Sequence, residues 1–445
     1  MWLKADVRDS IGHAAAEFVW LSRGRAIAAV WQSLQPKRRR CYQTKGGPAG
    51  GYNYLNNHSV KRIMDFSAAY FSPDYFAARD RFRGVVDYAG WELESHPVSA
   101  RGPQGQELTV DVAHRPAEAG APTLLLTTGL HGPEGFFGSA VACAILHWAV
   151  KTPNVRIILV HALNPFGFSH VRRTDEDNID LNRNFLVAGD SYGGSAPAYR
   201  HLDSWLNPQE PLFKRRGFIP CLAWSAFRLG IPALKQTIAG GQYDFAQGLF
   251  YGGSAPSSTY RLLESNLHRW VENSSTILHL DFHTGLGRWS THKLLVDANQ
   301  INEQAAWVQS CVDADLIDRP GPGGIAYHTR GSIGNWCGAA LAPARYVYFC
   351  AEFGTYSVWQ VLAGLRAENQ AHHWAGPSSS QAIRAKARLV ELFCPRSPDW
   401  RRRTVYDSIQ LVRKALQGLA RAGGKNENAV RSKVPGGVNA PILSP

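Results

Sequence analysis

The chain is short of the features that would place it quickly. No stretch approaches eighteen uninterrupted apolar residues, so no membrane-spanning helix is expected. Its cysteines, Cys41, Cys143, Cys221, Cys311, Cys337, Cys350 and Cys394, are odd in number and include no C-x-x-C pair. That excludes a thiolate zinc motif and argues against a disulfide framework, and it fits reduced thiols in a cytoplasm. A secretory leader is not expected, because Arg23 and Arg25 interrupt the only apolar region near the N-terminus. An organellar transit peptide is disfavoured by Asp6, Asp9 and Glu17, since such peptides avoid acids. Methionine is nearly absent. The second of the two, Met64, opens the aromatic, helix-like run "MDFSAAYFSPDYFAARDRF" and is a candidate start codon.

What is present is an ordinary globular balance, 44% hydrophobic and 19% charged over 445 residues. The net charge of +13 suggests nucleic acid until it is mapped. Residues 1–63 carry 11 basic against 3 acidic side chains, residues 421–445 carry 4 against 1, and everything between carries 33 against 31. The basicity therefore belongs to the ends, and neither a nucleic-acid nor a membrane partner is expected for the body. Residues 1–63 end in a basic, Gly/Asn-rich run without periodicity and read as a disordered extension. Residues 421–445 read as a disordered tail, and the catalytic domain is expected over 64–420. The sequence does not address oligomeric state.

Inside that body, short apolar runs alternate with helical stretches. "TLLLTTGL" (123–130), "VRIILVHAL" (155–163), "TILHLDF" (276–282), "KLLVD" (293–297) and "RYVYFCAEF" (345–353) are apolar on both parities, as strands of a covered sheet are. Helices are expected over 137–150, 257–273, 301–314, 380–392 and 404–420, whereas 186–260 reads poorly as regular structure. This alternation predicts an α/β fold, a three-layer α/β/α sandwich around a mixed, mainly parallel sheet.

Function in open α/β sheets gathers at the carboxyl ends of strands. The first run delivers His131 and Glu134 in "HGPE", and the second leads into "NPFGFSHVRRTDEDNIDLNRNF" (164–185). The third delivers His283 in "DFHTG", and the fifth delivers Glu352 in "EFGT". Two imidazoles and one carboxylate leave zinc one open position, the arrangement of a catalytic ion, and a further carboxylate can shuttle the proton. Arginines nearby suit an oxyanion and a substrate carboxylate. His279 shares the parity of Asp281 and His283, but its place inside the strand better suits a core histidine. The His372–His373 pair is expected to be solvated. Ser195 and Ser254 lie in G-G-S-A-P and lack the second glycine of a G-x-S-x-G elbow, which argues against a serine hydrolase.

Together "HGPE", "NPFGF…RR…DLNRNF", "DFHTG" and "EFGT" resemble, in order and approximate spacing, the zinc carboxypeptidase superfamily. The nearer likeness is to an uncharacterised bacterial branch, the domain-of-unknown-function 2817 proteins, and it spans about residues 64–420. The resemblance implies one zinc ion held by His131, Glu134 and His283, with Glu352 as general base. It implies that Asn182 and Arg183 hold a substrate carboxylate. The oxyanion arginine falls at Arg172 or Arg173, with Arg173 preferred, and Tyr327 matches the family's mobile tyrosine. Tyr346 and Tyr348 sit inside a strand and read as core. The implied function is zinc-dependent cleavage of an amide beside a free carboxylate, in a small peptide or an N-acyl amino acid. The alternatives are a deacylase resembling the aspartoacylase branch and a catalytically silent binding protein.

Overall fold

The computed structural model describes residues 67–148, 154–211, 217–296, 305–321 and 324–431. The chain divides into two units, Met1–Tyr54 and Leu55–Pro445, and every described residue belongs to the second. The expected disorder of residues 1–63 therefore lies outside the described residues.

Eight strands form one sheet: β1 (Glu92–Arg101), β2 (Glu107–Arg115), β3 (Thr123–Thr128), β4 (Arg156–His161), β5 (Thr276–Thr284), β6 (His292–Leu295), β7 (Ile317–Asp318) and β8 (Arg345–Phe353). Their spatial order is β1-β2-β4-β3-β5-β8-β6-β7. The inner four, β4-β3-β5-β8, are mutually parallel, and β2 and β6 pair antiparallel on either flank. This is the expected mixed, mainly parallel α/β sheet. At one edge lies β1, whose register with β2 breaks between Pro97 and Arg101, and at the other lies the two-residue β7.

Strand side chains alternate between faces, and the core follows that period of two. Leu124, Leu126, Leu278, Leu280 and Phe282 face one cluster with Phe82, Phe137 and Trp400. These three come from helices α1 (Tyr75–Ala89), α2 (Gly135–Trp148) and the last helix (Pro398–Arg431). Leu125, Ile277, Tyr346 and Tyr348 face the other side, against Trp270, Ile333 and Trp336. Burying a Trp or Phe of this kind is worth about 3–5 kcal/mol against alanine, so both faces are firmly covered.

Between α2 and the C-terminus the remaining helices are α3 (Pro165–His170), α4 (Pro197–Leu206), α5 (Phe218–Leu229), α6 (Ile231–Ala239), α7 (Ser258–Val271), α8 (Ala305–Cys311), α9 (Ile333–Ala340), α10 (Val358–Gln370), α11 (Ser380–Phe393) and α12 (Pro398–Arg431). Three of them, α4 to α6, occupy the region that carries little periodic signal. They are short, Pro197 opens α4 and Pro232 stands in the first turn of α6, and α5 leaves Ile219, Trp224 and Phe227 exposed, so the buried stripe of α4 (Tyr199, Leu202 and Leu206) is too brief to stand out. Leu234 and Ile238 of α6 pack with Phe250 and with Leu362 and Leu365 of α10 in a third cluster. The last helix also differs from expectation. It runs to Arg431 rather than stopping at 420, because extending an existing helix costs far less than starting one. Residues 432–445 lie outside the described residues.

Candidate functional site

The loop after β3 explains why "HGPE" reads as it does. His131 keeps extended backbone, and Pro133 then starts the single 3-10 turn Gly132–Glu134. A Cβ on Gly132 would lie 1.9 Å from the carbonyl carbon of Gly167 and 2.3 Å from the oxygen of Arg172. Only glycine lets this loop press against the segment that follows β4. Glu134 is thereby turned inwards beside His283, which lies near the end of β5.

The carboxylate of Glu134 bridges two imidazoles. Its Oε1 is 2.9 Å from Nδ1 of His131, and its Oε2 is 2.9 Å from Nδ1 of His283. The opposite ring nitrogens meet other carboxylates: Nε2 of His131 lies 3.1 Å from Oδ1 of Asp180, and Nε2 of His283 lies 2.6 Å from Oδ2 of Asp281. All five residues are buried. One ligand atom from each of His131, Glu134 and His283 falls within 4.8 Å of the others, a spacing that can hold a metal ion.

Protonation follows from these contacts. Burial pushes the Glu134 carboxyl up, but the two imidazoles outweigh it and hold the group well below the usual carboxylate range. Asp180 behaves likewise: Arg173, Arg183 and His131 overcome its burial. Burial disfavours the His283 cation, yet Asp281 raises its pKa well above that of a free imidazole. Asp281 is braced in turn by the Thr127 hydroxyl at 2.6 Å and the Tyr348 hydroxyl at 3.1 Å.

Glu352 comes from β8, in direct register with His283 of β5. Its Oε1 accepts a hydrogen bond from the Leu286 amide at 2.8 Å, and the Cys350 thiol stands 3.8 Å from Oε2. Burial, reinforced by the negative charge of Glu134, raises its carboxyl to about 7. Together His283, Cys350 and Glu352 form a second group of ligand spacing. Burial pushes the Cys350 thiol well up, which favours its neutral form and makes this the poorer donor set.

The two adjacent arginines part company. Arg173 lines the cavity, with Nη1 3.6 Å from Glu134 and Nε 2.9 Å from Asp180. Arg172, the other candidate to face a substrate, does not: it is 1% exposed and bonded to Glu368, Asn178 and Asn369, which leaves its guanidinium out of a substrate's reach. Asn182 and Tyr327 line the cavity too. Arg183 is a correction. Its guanidinium spends four hydrogen bonds on the carbonyls of Ala239 and Asn182 and on the Tyr327 hydroxyl, and it is not among the cavity-lining residues. A guanidinium capped by backbone carbonyls offers no open fork to a carboxylate.

Five further residues correct or complete the sequence reading. His279 is the expected core histidine, between Thr127 and Tyr346, with its pKa lowered to about 4 by burial. His372 and His373 are half-buried in a π-helical turn rather than solvated, and burial lowers them to about 3 and about 4. Cys350 and Lys235 line the cavity and were missed. Cys350 shares the parity of Glu352 and was within reach of strand periodicity. Lys235 stands on α6, a helix that carries no clear periodic signal.

The rest of the lining is aliphatic and aromatic, including Leu234, Ile238, Phe250, Val361 and Leu362. Among the described residues no helix is long and apolar enough to cross a membrane.

Several solved structures resemble the chain at low identity. Bovine thrombin-activatable fibrinolysis inhibitor, in complex with tick carboxypeptidase inhibitor, aligns at 11% identity and a TM-score of 0.41 over 81% of this chain and 99% of that one. Carboxypeptidase A from Helicoverpa armigera gives 13% and 0.38, over 75% and 80%. Murein-tripeptide amidase from Escherichia coli O157 gives 19% and 0.32, over 63% and 92%. No curated protein matches the sequence. A family model matches residues 71–407, which include every residue of the site just described: the chain belongs to the DUF2817 family, whose description is "Protein of unknown function".

Proposed function

We propose that the protein is a zinc-dependent hydrolase that cleaves an amide bond in a small peptide or N-acyl amino acid bearing a free carboxylate. The observation that carries this reading is the division of labour in the two imidazoles. Each turns Nδ1 toward Glu134 and binds a buried carboxylate through Nε2, as metal-bound histidines are held by their outer partners. His131, Glu134 and His283 would hold the ion, and two nitrogens with one carboxylate suit zinc with a position left open. When bound, such an ion lowers the pKa of water and polarises a carbonyl.

The chain's own residues supply the rest. Glu352 keeps Oε1 on the Leu286 amide, leaving Oε2 to take a proton from the attacking water and pass it to the leaving nitrogen. A carboxyl raised to about 7 is poised to do both near neutrality. Arg173, fixed by Asp180, directs its guanidinium toward Glu134 and can steady negative charge on the substrate carbonyl. The apolar side chains Leu234, Ile238, Phe250, Val361 and Leu362 lower the polarity around the site and strengthen these interactions. The test is hydrolysis by zinc-loaded protein of peptides and N-acyl amino acids, each as free acid and as amide. Zinc-dependent release of free amino acid supports the reading, and the substrate preferred separates peptidase from deacylase. Protein that binds no zinc, or turns over nothing with zinc bound, overturns it.

A further inference from the structure

With Arg183 capped, the cavity needs another cation if it is to receive a substrate carboxylate. Two candidates line it. Arg173 is already paired with Glu134 and Asp180. Lys235 has no ion pair among the described residues. Its ammonium donates to the carbonyl of Ile325 and lies 5.0 Å from the centre of the Tyr327 ring. An ammonium carries three donors, so this bond leaves two hydrogens for a ligand. The surroundings hold it in place. Asp318 accepts the amides of Ile325 and Ala326 at 2.7 and 3.1 Å, which fixes the loop carrying both Ile325 and Tyr327. The Tyr327 hydroxyl accepts from Arg183, and the Arg183 guanidinium also lies 5.8 Å from that ring. Arg183 thus braces Tyr327, and Tyr327 borders Lys235. The neighbouring lining, Leu234 and Ile238 on α6 and Val361 and Leu362 on α10, is apolar. A cation without an ion pair, set beside these apolar side chains, recognises an anionic group on an otherwise apolar ligand.

We propose that Lys235 is the specificity-determining residue that receives the substrate's carboxylate, and that Arg183 acts behind it as a positioning residue through Tyr327. The inference rests on the hydrolase reading for its substrate class but not for its binding step. A single charge-assisted contact of this kind is worth about ten- to a hundredfold in affinity.

The experiment is calorimetric titration of the full chain, stripped of metal, with N-octanoyl-leucine and its primary amide. Wild type should bind the acid at least tenfold more tightly than the amide. Lys235→Met should collapse that preference to about twofold, and Lys235→Arg should restore part of it. Circular dichroism of each variant checks the fold. With zinc-loaded enzyme, Lys235→Met should raise KM for the acid by the same factor and leave kcat within a few-fold. Equal binding of acid and amide by wild type overturns the proposal, as does an acid preference that survives in Lys235→Met. Lys235-dependent acid binding without turnover keeps the proposal and removes the hydrolase reading. Turnover with the preference intact in Lys235→Met does the reverse.

Discussion

The cavity has two unlike walls. One is built from strand ends: His131 follows β3, His283 closes β5, and Cys350 and Glu352 come from β8. Its polar atoms are buried and each functional group is held by at least one partner. The other is built from α6 and α10 and is mostly apolar. Ile231, Val358 and Trp359 line the cavity there while remaining 61%, 43% and 45% exposed. The first wall is over-determined and the second is loosely held. Chemistry that needs atoms fixed within fractions of an ångström belongs on the first, and recognition that tolerates variation belongs on the second.

The sharpest way to test the strand-end wall is to remove its proposed proton carrier. Glu352→Gln should lose about 10²–10⁴ in kcat while zinc, measured in the dialysed protein, stays at wild-type stoichiometry. His131→Ala should lose both zinc and activity. Zinc lost from the first variant or kept by the second would reverse the assigned roles. The pH profile gives the same group a second readout. The carboxyl of Glu352 is raised, so its base form disappears as pH falls through about 7 in the metal-free protein. A dication beside it favours the charged form, so the acidic limb of kcat/KM in zinc-loaded enzyme should lie below that value. Glu352→Gln should remove the limb.

Arg172 tests whether its rigidity comes from outside the cavity. Breaking its buried pair with Glu368 by Arg172→Met should cost about 3–5 kcal/mol in denaturant unfolding. A cost near zero would show that the segment after β4 is held by other contacts. Asp281→Asn is expected to be milder. It keeps the fold and weakens zinc binding about 10- to 100-fold, because the His283 ring loses the carboxylate that fixes its orientation. The helix wall should respond least. Trp359→Ala should change stability by no more than about 0.5 kcal/mol, as for other exposed positions, and raise KM a few-fold for apolar substrates. An unfolding cost of several kcal/mol would erase the contrast between the walls.

The same contrast decides what was legible in the sequence. Strands β3, β4, β5, β6 and β8 announce themselves through apolar runs, and their ends mark where His131, Glu134, His283 and Glu352 fall. The Gly132-Pro133 break is a local signal with a local cause. Strand β1 escaped because it is a polar edge strand interrupted by Pro97, and β2 because Asp111, buried against Arg83, breaks its apolar run. The helix wall escaped because α6 exposes Ile231 while burying Leu234 and Ile238, and α10 buries Arg366, Glu368, Asn369 and Gln370 along with its leucines, so neither shows a one-sided apolar pattern. Neighbours in sequence also say little about neighbours in space. Arg172 and Arg173 cannot be told apart by spacing, and only the positions of Glu368, Glu134 and Asp180 separate them. That the Arg183 guanidinium is capped by Ala239, 56 residues further along the chain, is likewise a property of the folded state.

The margins of the sheet carry a consequence of their own. A long free strand edge is a template onto which a second extended chain can build. Here β1 contributes Pro97, which has no amide hydrogen to donate, and its register breaks just beyond. At the far margin β7 is two residues long, too short to align a visiting strand. The proline and the broken register on one margin, and the shortness of the other, act as guards against strand addition. Among the described residues neither margin therefore offers a long regular edge on which a strand of a second molecule could build.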